Sequence, residues 1–584
     1  MKDFASNSPP ALFGHWTNHM ASDPPPLENG RRDGAMGLTV KMKESLERFG
    51  LVAGERIRTQ NFDGYFAIFG SIFEWQGDDV RSRSFIKLVH QITEQIGNSR
   101  HWARDLNGEF VIAVWDERLK QLSLVTDHAG TRPIYYFVDD QQIAFSTDIE
   151  SLLPYCKKPF DLHDQDVQEL LTGTFKERRD RTMIREIKRV PPASVATFSN
   201  GSVGVQEYWR LRDAPPVRHK SHDDYYAQAK ELLSKAIALR VPNAEVFGVH
   251  VSGGLDSSAI AAVACRERTR KGQSLPLGYG WQPVPTADVE PLFDQEMIRY
   301  MCESFDIKRE QISAHDDIFD EFMSFDPVTT PISSDLMYEL AVMKTAQRSG
   351  VNHILSGWGG DQVFSFSGYS AKRTNLPRFL ARTARQLIFE KSEPQISFTK
   401  AGDLPQSRIE RARFQLSRRT TRSTQLSKWN MGAMRSRMEC LSVVGTNHDI
   451  QYFYPLLDRP IVEFAVGVPA YLYRQHGMGR MLMREAMKGD VPDKIRLNTD
   501  KSEPARVAHS LDLFEHHADR WLKALEAGRF TPSRADFVCL PKLKDALAEL
   551  HTGRGGAYAN IAQACSFCRI HNQFLVSSSS LSPR

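Results

Sequence analysis

The sequence predicts an α/β protein of two domains, a β-rich first domain and a second domain built on a parallel sheet. A chain of 584 residues exceeds what one hydrophobic core normally supports. Short apolar segments separated by turns fill residues 51–209, whereas strands alternate with helical patterns from residue 225 onward. The first texture is typical of antiparallel strands and the second of strand–helix units. We place the domains at 1–212 and 213–584.

Four segments of the first domain have the length and apolar character of strands and end at turn residues. They are FVIAVWD (110–116), QLSLVTD (121–127), IYYFV (134–138) and QIAFSTD (142–148). We therefore expect an antiparallel sheet here. Residues 1–40, rich in Pro, Gly and charge, are expected to form a loose arm.

The second domain is expected to begin after a linker with two prolines, LRDAPPVRHKSHDD (211–224). Beyond it Tyr225, Ala229, Leu233 and Ile237 recur at helical spacing, which predicts the first helix of this domain.

Composition excludes several classes of protein. Hydrophobic residues make up 41% and charged residues 25% of the chain, which is ordinary for a soluble protein. No apolar run approaches the ~20 residues that span a bilayer, and MKDFASNSPP lacks the apolar core of a secretory signal. We therefore expect a cytoplasmic location. The seven cysteines do not form a disulfide framework, and Cys565 and Cys568 are expected to be buried thiols on a helix.

Residues 372–437 are strongly basic, with 16 Lys and Arg against 4 Asp and Glu, in a chain of net charge +4. Such a patch suits an acidic peptide, a nucleic acid or a membrane surface, and it equally suits a solvated helical face. It does not by itself select a function.

The stretch EVFGVHVSGGLDSSAIAAV (245–263) carries the clearest chemistry. An apolar run of strand length ends at a glycine turn, and small residues at helical spacing follow Asp256. The turn lets successive N–H groups converge on an anion at a helix N-terminus, and nearby hydroxyls add donors. The glycines and hydroxyl residues of this turn are Ser252, Gly253, Gly254, Ser257 and Ser258.

The turn matches neither GxxxxGK[ST] nor GxGxxG, so an ordinary P-loop and a dinucleotide site are disfavoured. Asp256 would repel a phosphate unless a cation lay between them, and Mg²⁺ takes one or two carboxylates plus phosphate oxygens. VNHILSGWGGDQVF (351–364) repeats the pattern and closes on Asp361. We expect the two turns to be two walls of one crevice, with both aspartates facing one Mg²⁺. The alternative is a capped strand–helix turn without a ligand.

These motifs resemble the asparagine synthetase superfamily. SGGLDSS is similar to the pyrophosphate loop of ATP-pyrophosphatases that form acyl-adenylates, and SGWGGD is similar to its partner turn. LNGEFVIAVWDERLKQLSLVTDHAGTRPIYYF (106–137) and QEYW (206–209) resemble the glutaminase-type first domain, and residues 454–469 and 480–504 resemble the C-terminal helices. The resemblance implies an N-terminal Ntn-hydrolase-like β sandwich and a C-terminal ATP-pyrophosphatase domain, adenine nucleotide alpha hydrolase-like, with a helical C-terminal part.

The resemblance also implies ATP and Mg²⁺ as cofactors and roles for individual residues. Asp256, Asp361 and Lys501 would be catalytic, the two aspartates as metal ligands and the lysine on the phosphates, where a cation offsets charge on the leaving pyrophosphate. Arg132 is expected to belong to the fold of the first domain. The residues implied to contact nucleotide or pyrophosphate are Ser252, Gly253, Gly254, Asp256, Ser257, Ser258, Tyr279, Ser356 and Gly357.

Two features depart from the family pattern. Glutamine-dependent members need a cysteine directly after the initiator methionine, whereas residue 2 is Lys and the first cysteine is Cys156. Without that thiol glutamine hydrolysis has no nucleophile, so we expect a degenerate amidotransferase domain. Trp358 stands where asparagine synthetases carry a glutamate, and an indole cannot act as a base. Trp358 is therefore a candidate for the wall of a substrate pocket.

Both departures favour a lasso-peptide cyclase, a macrolactam synthetase that adenylates an Asp or Glu side chain of a precursor peptide and joins it to the N-terminal amine. The implied partners are the precursor peptide, a leader peptidase and leader-binding proteins, with no nucleic acid and no membrane span. Alternatives are an asparagine synthetase or a β-lactam synthetase-type ligase on a small substrate. From other classes, a non-catalytic scaffold and an RNA-modifying ATP-pyrophosphatase stay open.

Overall fold

The computed structural model describes most of the chain between residues 56 and 548. The described ranges are 13–17, 39–41, 56–81, 85–96, 102–140, 142–157, 160–172, 180–199, 202–242, 246–282, 290–312, 316–333, 335–368, 420–526 and 538–548, with helical residues 561, 564, 565 and 567. Cys565 is buried in this last helical part, whereas Cys568 lies outside the described residues.

The first domain is a sandwich of two antiparallel sheets. Its strands are β1 (Phe13–Thr17), β2 (Thr39–Lys41), β3 (Arg56–Arg58), β4 (Asp63–Trp75), β5 (Asp78–Asp79), β6 (Leu106–Asp116), β7 (Gln121–Thr126), β8 (Tyr135–Val138), β9 (Gln142–Ser146), β10 (Ile187–Arg189), β11 (Ser194–Ser199) and β12 (Ser202–Glu207). Its helices are α1 (Phe85–Ile96) and α2 (Asp164–Thr172). The four strand segments expected from the sequence are confirmed as β6 to β9.

The strand order explains how the sandwich closes. One sheet runs β10-β8-β9-β1-β2, and the other runs β12-β11-β7-β6-β4-β3 with β5 paired to β4. Phe69 and Val111 from the second sheet and Ile143 and Phe145 from the first pack in one apolar core. Alternating side chains of both inner faces build that core, as in other β-sandwiches.

The loose arm expected for residues 1–40 is wrong for two of its segments. Phe13–Thr17 pairs with β9, and β2 pairs in turn with Phe13–Thr17 at the edge of the same sheet. The prediction rested on Pro and Gly content and overlooked FGHWT, a short segment whose Phe and Trp favour a strand.

The second domain surrounds a parallel sheet with helices. Its helices are α3 (His222–Arg240), α4 (Leu255–Arg270), α5 (Phe293–Phe305), α6 (Asp316–Phe322), α7 (Leu336–Arg348), α8 (Thr421–Trp429), α9 (Gly432–Asn447), α10 (Arg459–Gly467), α11 (Met481–Ala486), α12 (Asp493–Arg496), α13 (Pro504–Glu526) and α14 (Leu540–Ala548). Its strands are β13 (Gly248–His250), β14 (Leu277–Tyr279), β15 (His353–Leu355), β16 (Gln451–Phe453), β17 (Arg474–Gln475) and β18 (Met478–Gly479).

The order of the parallel strands, β14-β13-β15-β16, fixes where a ligand can enter. The chain leaves β13 toward β14 on one side and returns to β15 on the other side of β13. The connections after β13 and β15 therefore diverge, and a crevice opens at the carboxyl ends of these two neighbouring strands.

Helix α3 confirms the helical spacing read after the linker. Ser221 and Asp224 form a capping box at its start, which satisfies two backbone N–H groups that would otherwise lack partners. Tyr225, Ala229 and Leu233 are buried on one face of the helix.

The linker at 211–224 is packed on the second domain. Arg422 donates hydrogen bonds to the carbonyls of Arg212 and Ala214, at 2.9 and 2.8 Å. The Val217 N–H donates to the Gly467 carbonyl at 3.0 Å. These bonds hold the domains in one arrangement.

A buried charge cluster joins the domains. Arg240 of α3 donates to Glu109 of β6 at 2.6 Å and to Asp458 at 2.8 Å, and none of the three side chains is more than 4% exposed. Arg132, expected in the fold of the first domain, lies between the rings of Phe69 and Phe453 and so also contacts the second domain.

Among the described residues, no helix has both the length and the apolar character needed to cross a membrane.

Candidate active site

A cavity of about 670 Å³ lies at the carboxyl ends of β13 and β15. Both glycine turns line it, so the structure brings together residues more than a hundred positions apart. Ser258 is the exception, since it is fully buried within α4 and does not line the cavity. The other predicted residues at the cavity are Ser252, Gly253, Gly254, Asp256, Ser257, Tyr279, Ser356, Gly357, Trp358, Asp361 and Lys501.

The first turn needs its glycines. Gly253 has a φ of +63°, and a Cβ there would stand 2.6 Å from Cβ of Met297. Gly254 precedes α4 and has no side chain to cap the helix, and its own N–H donates to Ser252 Oγ at 3.4 Å. Ser252 Oγ also lies 2.8 Å from Ser257 Oγ. This is a polar, positively polarised seat of the kind that holds phosphate.

The second turn packs directly against the first. A Cβ on Gly360 would stand 2.8 Å from Cγ of Asp256, and one on Gly357 would stand 3.1 Å from the Ser257 nitrogen. Gly359 has a φ of +92° and faces Leu457 too closely for any side chain. Glycine is thus required wherever the two turns approach each other.

The two aspartates meet at Arg480. Its guanidinium lies 3.3 Å from Asp256 Oδ2 and forms an ion pair with Asp361. Lys501 Nζ lies 2.8 Å from the other oxygen of Asp361. Two acids and two cations therefore occupy one end of the cavity.

These residues fit a magnesium ion. Asp256 Oδ1 is buried and has no hydrogen-bond partner among the described residues. Mg²⁺ is commonly held by one or two carboxylates while phosphates and waters complete its shell. No cluster of three or more His, Cys, Asp or Glu that could hold a metal occurs in the described part of the chain.

Arg480 was not identified from the sequence. It is 6% exposed, has a left-handed φ of 64° and directly precedes α11. Arg484, one helical turn later, donates to the Gly479 and Asn498 carbonyls at 2.9 Å each and so fixes the loop that carries Lys501. The signal that could have found them is the pair of arginines four residues apart in RMLMREAM.

Trp358 lies in the opposite wall, stacked on an arginine. The Arg437 guanidinium is 4.6 Å from the centre of the Trp358 ring and 5.0 Å from that of Trp281. Trp358 Nε1 lies 3.4 Å from the Met434 carbonyl. All three stacked side chains line the cavity, where the two indole rings form a flat aromatic surface, the indole wall. Arg437 is 2% exposed and is paired with Asp335 and Glu339.

Glu339 holds the indole wall from behind. This fully buried carboxylate accepts hydrogen bonds from Arg437 and Tyr452, each at 2.7 Å, and from Trp281 at 3.1 Å. Burial alone would raise its pKa, but the facing His250 and Arg437 reverse this and bring the pKa of Glu339 to about 2. Glu339 is therefore ionised at neutral pH.

Tyr279 lies at the cavity, but its ring is fully buried. The Tyr279 ring packs against Gly248, where an added Cβ would stand 2.8 Å from the ring. Burial raises the pKa of Tyr279 to about 12. Tyr279, expected among the nucleotide contacts, therefore borders the cavity with its ring in the core.

Known proteins resemble both halves of the chain. The family model described as asparagine synthase matches residues 228–565, and that of a glutamine amidotransferase domain matches 70–209. The chain is 22% identical to asparagine synthetase 3 of Bacillus subtilis, with 73% of this chain and 72% of that one covered. It is 23% identical to amidase chry2 of Gibberella zeae, with 46% and 41% covered. It is also 23% identical to asparagine synthetase B of Escherichia coli, with 49% and 48% covered.

The fold and the site define a nucleotide-dependent ligase with an amidotransferase-type first domain, as expected from the sequence. The chain belongs to the asparagine synthase family. It is an ATP-dependent carbon–nitrogen ligase of the type that releases AMP and pyrophosphate. The matches to the Gibberella and Escherichia relatives span less than half of those proteins.

Proposed function

We propose that this protein closes a macrolactam ring in a precursor peptide, as a lasso-peptide cyclase does. An Asp or Glu side chain of the peptide is adenylated, and the N-terminal amine of the same peptide then forms the amide. The observation that carries the proposal is the indole wall. An aromatic surface on Trp281 and Trp358, supported by the buried Arg437, suits an extended peptide better than a free amino acid.

The burial of Cys156 supports the proposal that the amine comes from the substrate and not from glutamine. It is the first cysteine of the sequence, and burial raises its pKa to about 12. Its thiol is therefore not available as a thiolate nucleophile at neutral pH. Ammonia from glutamine then has no source in residues 1–212, and the first domain serves as a scaffold.

The cavity can hold the reactants of adenylation in line. The N-terminus of α4 with Ser252 and Ser257 holds the phosphates, while Lys501 and Arg480 balance the charge that develops on pyrophosphate. Mg²⁺, held by Asp256 and Asp361, would neutralise phosphate oxygens when bound. A carboxylate oxygen of the peptide attacks the α-phosphorus, the bond to the β-phosphate oxygen breaks, and pyrophosphate leaves with that electron pair.

Ring closure then requires orientation more than further activation. The amine and the acyl-adenylate belong to one peptide, so holding both ends converts the step to an intramolecular one, with effective molarities that reach about 10⁵ M or more. The indole wall lies in the same cavity as the glycine turns and can support the part of the peptide between them.

The partners follow from this function as proposals. A precursor peptide needs removal of its leader, so we propose a leader peptidase and a leader-binding protein acting beside this enzyme in the cytoplasm. The basic stretch 372–437 is described only from residue 420. There Arg422, Lys428 and Arg437 bond to the protein itself, and residues 372–419 lie outside the described residues.

The test is ATP–pyrophosphate exchange driven by synthetic precursor peptides from reading frames beside the gene. We expect exchange with a peptide that carries the acceptor Asp or Glu, and a product lighter by one water. The matched Asn or Gln peptide should support neither. An N-acetylated peptide should support exchange without product. Exchange with free amino acids and with no peptide would contradict the proposal.

A small-substrate ligase is the second candidate, favoured by the names of the Bacillus and Escherichia relatives, which are asparagine synthetases. Free aspartate in the same exchange assay tests it. Exchange with aspartate, followed by asparagine formation when ammonia is added, would select this candidate.

A further inference from the structure

We propose that His250 is the base that accepts the proton of the attacking amine. This rests on the proposed function, in which an amine attacks an acyl-adenylate within the cavity. The family's usual acid is replaced by Trp358, so a base is needed from elsewhere in the cavity wall.

His250 ends β13 and lines the cavity just before the first glycine turn. Its side chain is 12% exposed. One ring nitrogen, Nδ1, lies 3.2 Å from Ser356 Oγ, and the other, Nε2, lies 3.4 Å from Glu339 Oε2. The ring therefore bridges the second glycine turn and the buried carboxylate behind the indole wall.

The partners assign the tautomer. Ionised Glu339 can only accept a hydrogen bond, so a neutral His250 places its proton on Nε2 toward that carboxylate. Nδ1 is then left with a lone pair on the side of Ser356. Nδ1 faces the Ser356 hydroxyl, which lines the cavity, and Nε2 lies beside the Glu339 carboxylate, so His250 can accept a proton through this hydroxyl as a general base.

Other acidic groups at the cavity have different partners. Asp361 forms ion pairs with Arg480 and Lys501, and Asp256 belongs to the proposed metal site. Asp294 accepts the backbone N–H of Ala505 at 3.2 Å and caps α13. Asp500 accepts the Ser502 N–H, which contributes to lowering its pKa, and Glu503 pairs with Arg506 in α13, the helix that follows it. Lys501, whose pKa burial lowers to about 8, is paired with Asp361. His250 is the histidine of the described cavity wall, and a neutral imidazole nitrogen can accept a proton.

The step balances as follows. The amine loses one proton to solvent and becomes neutral, and its lone pair forms the bond to the acyl carbon. As this bond forms, the second proton passes from nitrogen to the Ser356 hydroxyl, whose own proton passes to Nδ1 of His250. The bond from the acyl carbon to the AMP oxygen then breaks, and AMP leaves with the electron pair. His250 returns its proton to water when AMP departs.

Among the described residues, Glu339 of α7 and Tyr452 of β16 face His250, and the centre of the Tyr452 ring is 5.6 Å from that of His250. Arg437 of α9 is paired with Glu339 and so lies behind it. The pKa of Glu339 is about 2, and burial keeps the pKa of Tyr452 well above 10, so neither titrates near neutrality. Arg437 stays charged throughout. A rate change near neutral pH that depends on residue 250 therefore reports His250 itself.

The experiment compares His250→Gln with the wild-type enzyme in two assays. The first is peptide-driven ATP–pyrophosphate exchange, which reports adenylation alone. The second is single-turnover ring closure, measured from pH 5.5 to 9. His448→Gln is the matched control, because His448 pairs with Glu321 at 3.0 Å on the far end of α9, outside the cavity wall.

We expect His250→Gln to slow ring closure by about 10²-fold or more while exchange changes far less. Both enzymes should slow as pH drops, because the peptide amine, with a pKa of about 8, becomes protonated. The wild-type rate should fall more steeply, because a protonated His250 cannot accept a proton, and the variant should lose this additional fall. Hydroxylamine, whose nitrogen is largely unprotonated at neutral pH, should trap the acyl-adenylate equally in both enzymes. His448→Gln should match the wild type throughout.

Two results would overturn the inference. One is an equal loss of exchange and ring closure, which would make His250 part of nucleotide binding. The other is ring closure with an unchanged pH profile. Absence of peptide-driven exchange in the wild type would instead refute the proposed function. A variant that exchanges pyrophosphate is folded, so misfolding cannot imitate the expected result.

Discussion

The interface between the domains and the cavity both concentrate charge, but they leave it in different states. At the interface Arg240 lies between Glu109 and Asp458, and no member is more than 4% exposed. In the cavity the Asp361 and Lys501 side chains are 46% and 58% exposed, and Asp256 Oδ1 has no partner among the described residues. Interface charges are closed to solvent, whereas the charges of Asp361 and Lys501 remain accessible to a ligand.

This difference in exposure indicates which property of the protein each set of charges determines. A buried charge that loses its partner is costly, so the Arg240 cluster fixes how the domains meet. The two aspartates of the cavity lie on glycine turns that leave no room for other side chains, so the backbone sets their positions. Changes at the interface should therefore alter stability, and changes in the cavity should alter chemistry.

The largest effect is expected from Arg240→Ala. It leaves Glu109 and Asp458 buried without their cation, which should lower the free energy of unfolding by about 3–5 kcal/mol. Urea unfolding measures this. Lys308→Ala, which removes a 77% exposed partner of Glu310, is the control and should cost less than about 1 kcal/mol. Equal effects of the two variants would show that the interface cluster is not special.

The next effect is expected from Asp361→Asn. It removes a proposed metal ligand and the partner of Lys501, so peptide-driven exchange should fall by about 10²–10³-fold. The midpoint of thermal unfolding should stay close to that of the wild type, because the side chain is half exposed. Asp317→Asn, at an exposed pair with Lys344, is the control. A large loss of stability with little loss of exchange would reverse the contrast drawn above.

Acid should weaken the interface region through two histidines. Burial lowers the pKa of His128 and of His353 to about 3, and their Nε2 atoms bond to the Leu457 and Arg240 carbonyls. Below about pH 6.5 the unfolded chain binds protons that the folded chain does not. Stability should therefore fall by up to about 1.4 kcal/mol per pH unit for each histidine as pH drops from 6.5 toward 3.

Urea unfolding at pH 7, 6 and 5 tests this, with His128→Gln to isolate one histidine. Glutamine can keep a donor near the Leu457 carbonyl, and it cannot titrate. The slope of the unfolding free energy against pH should then decrease by the contribution of about one proton. Parallel slopes in the variant and the wild type would show that His128 is protonated in the folded state.

The smallest effect is expected from Trp358→Ala in the indole wall. Losing the ring that covers Arg437 should raise the peptide concentration for half-maximal exchange by about 10-fold, or ~1.4 kcal/mol, with little change for ATP. Trp358→Phe should retain most of the affinity. A change for ATP instead of peptide would place Trp358 in the nucleotide site.

The sequence predicted elements with a local signal. The apolar run before Gly253 predicted a buried strand, and β13 is one, in a parallel sheet. The second turn could be paired with the first because both follow a strand, contain glycines and end at an aspartate. The four antiparallel strands from β6 to β9 could be read from their lengths and turns.

The missed residues have no local signal. His250 lies inside VFGVHV, where a lone histidine is read as one more strand residue. Glu339 and Arg437 sit on helices about a hundred positions apart, and only the packing of α7 against α9 makes them partners. Arg480 takes a left-handed conformation that no glycine marks. Such clusters arise from tertiary contacts, which the sequence alone does not display.

The most direct test of the account is whether Asp256 couples magnesium to ATP binding. Calorimetric titration of ATP, with Mg²⁺ and with chelator, should show tighter binding to the wild type when Mg²⁺ is present. Asp256→Ala should lose that gain while keeping its weak, metal-independent binding. The same gain from Mg²⁺ in both proteins would contradict the claim that the two glycine turns hold a metal-bound triphosphate between them.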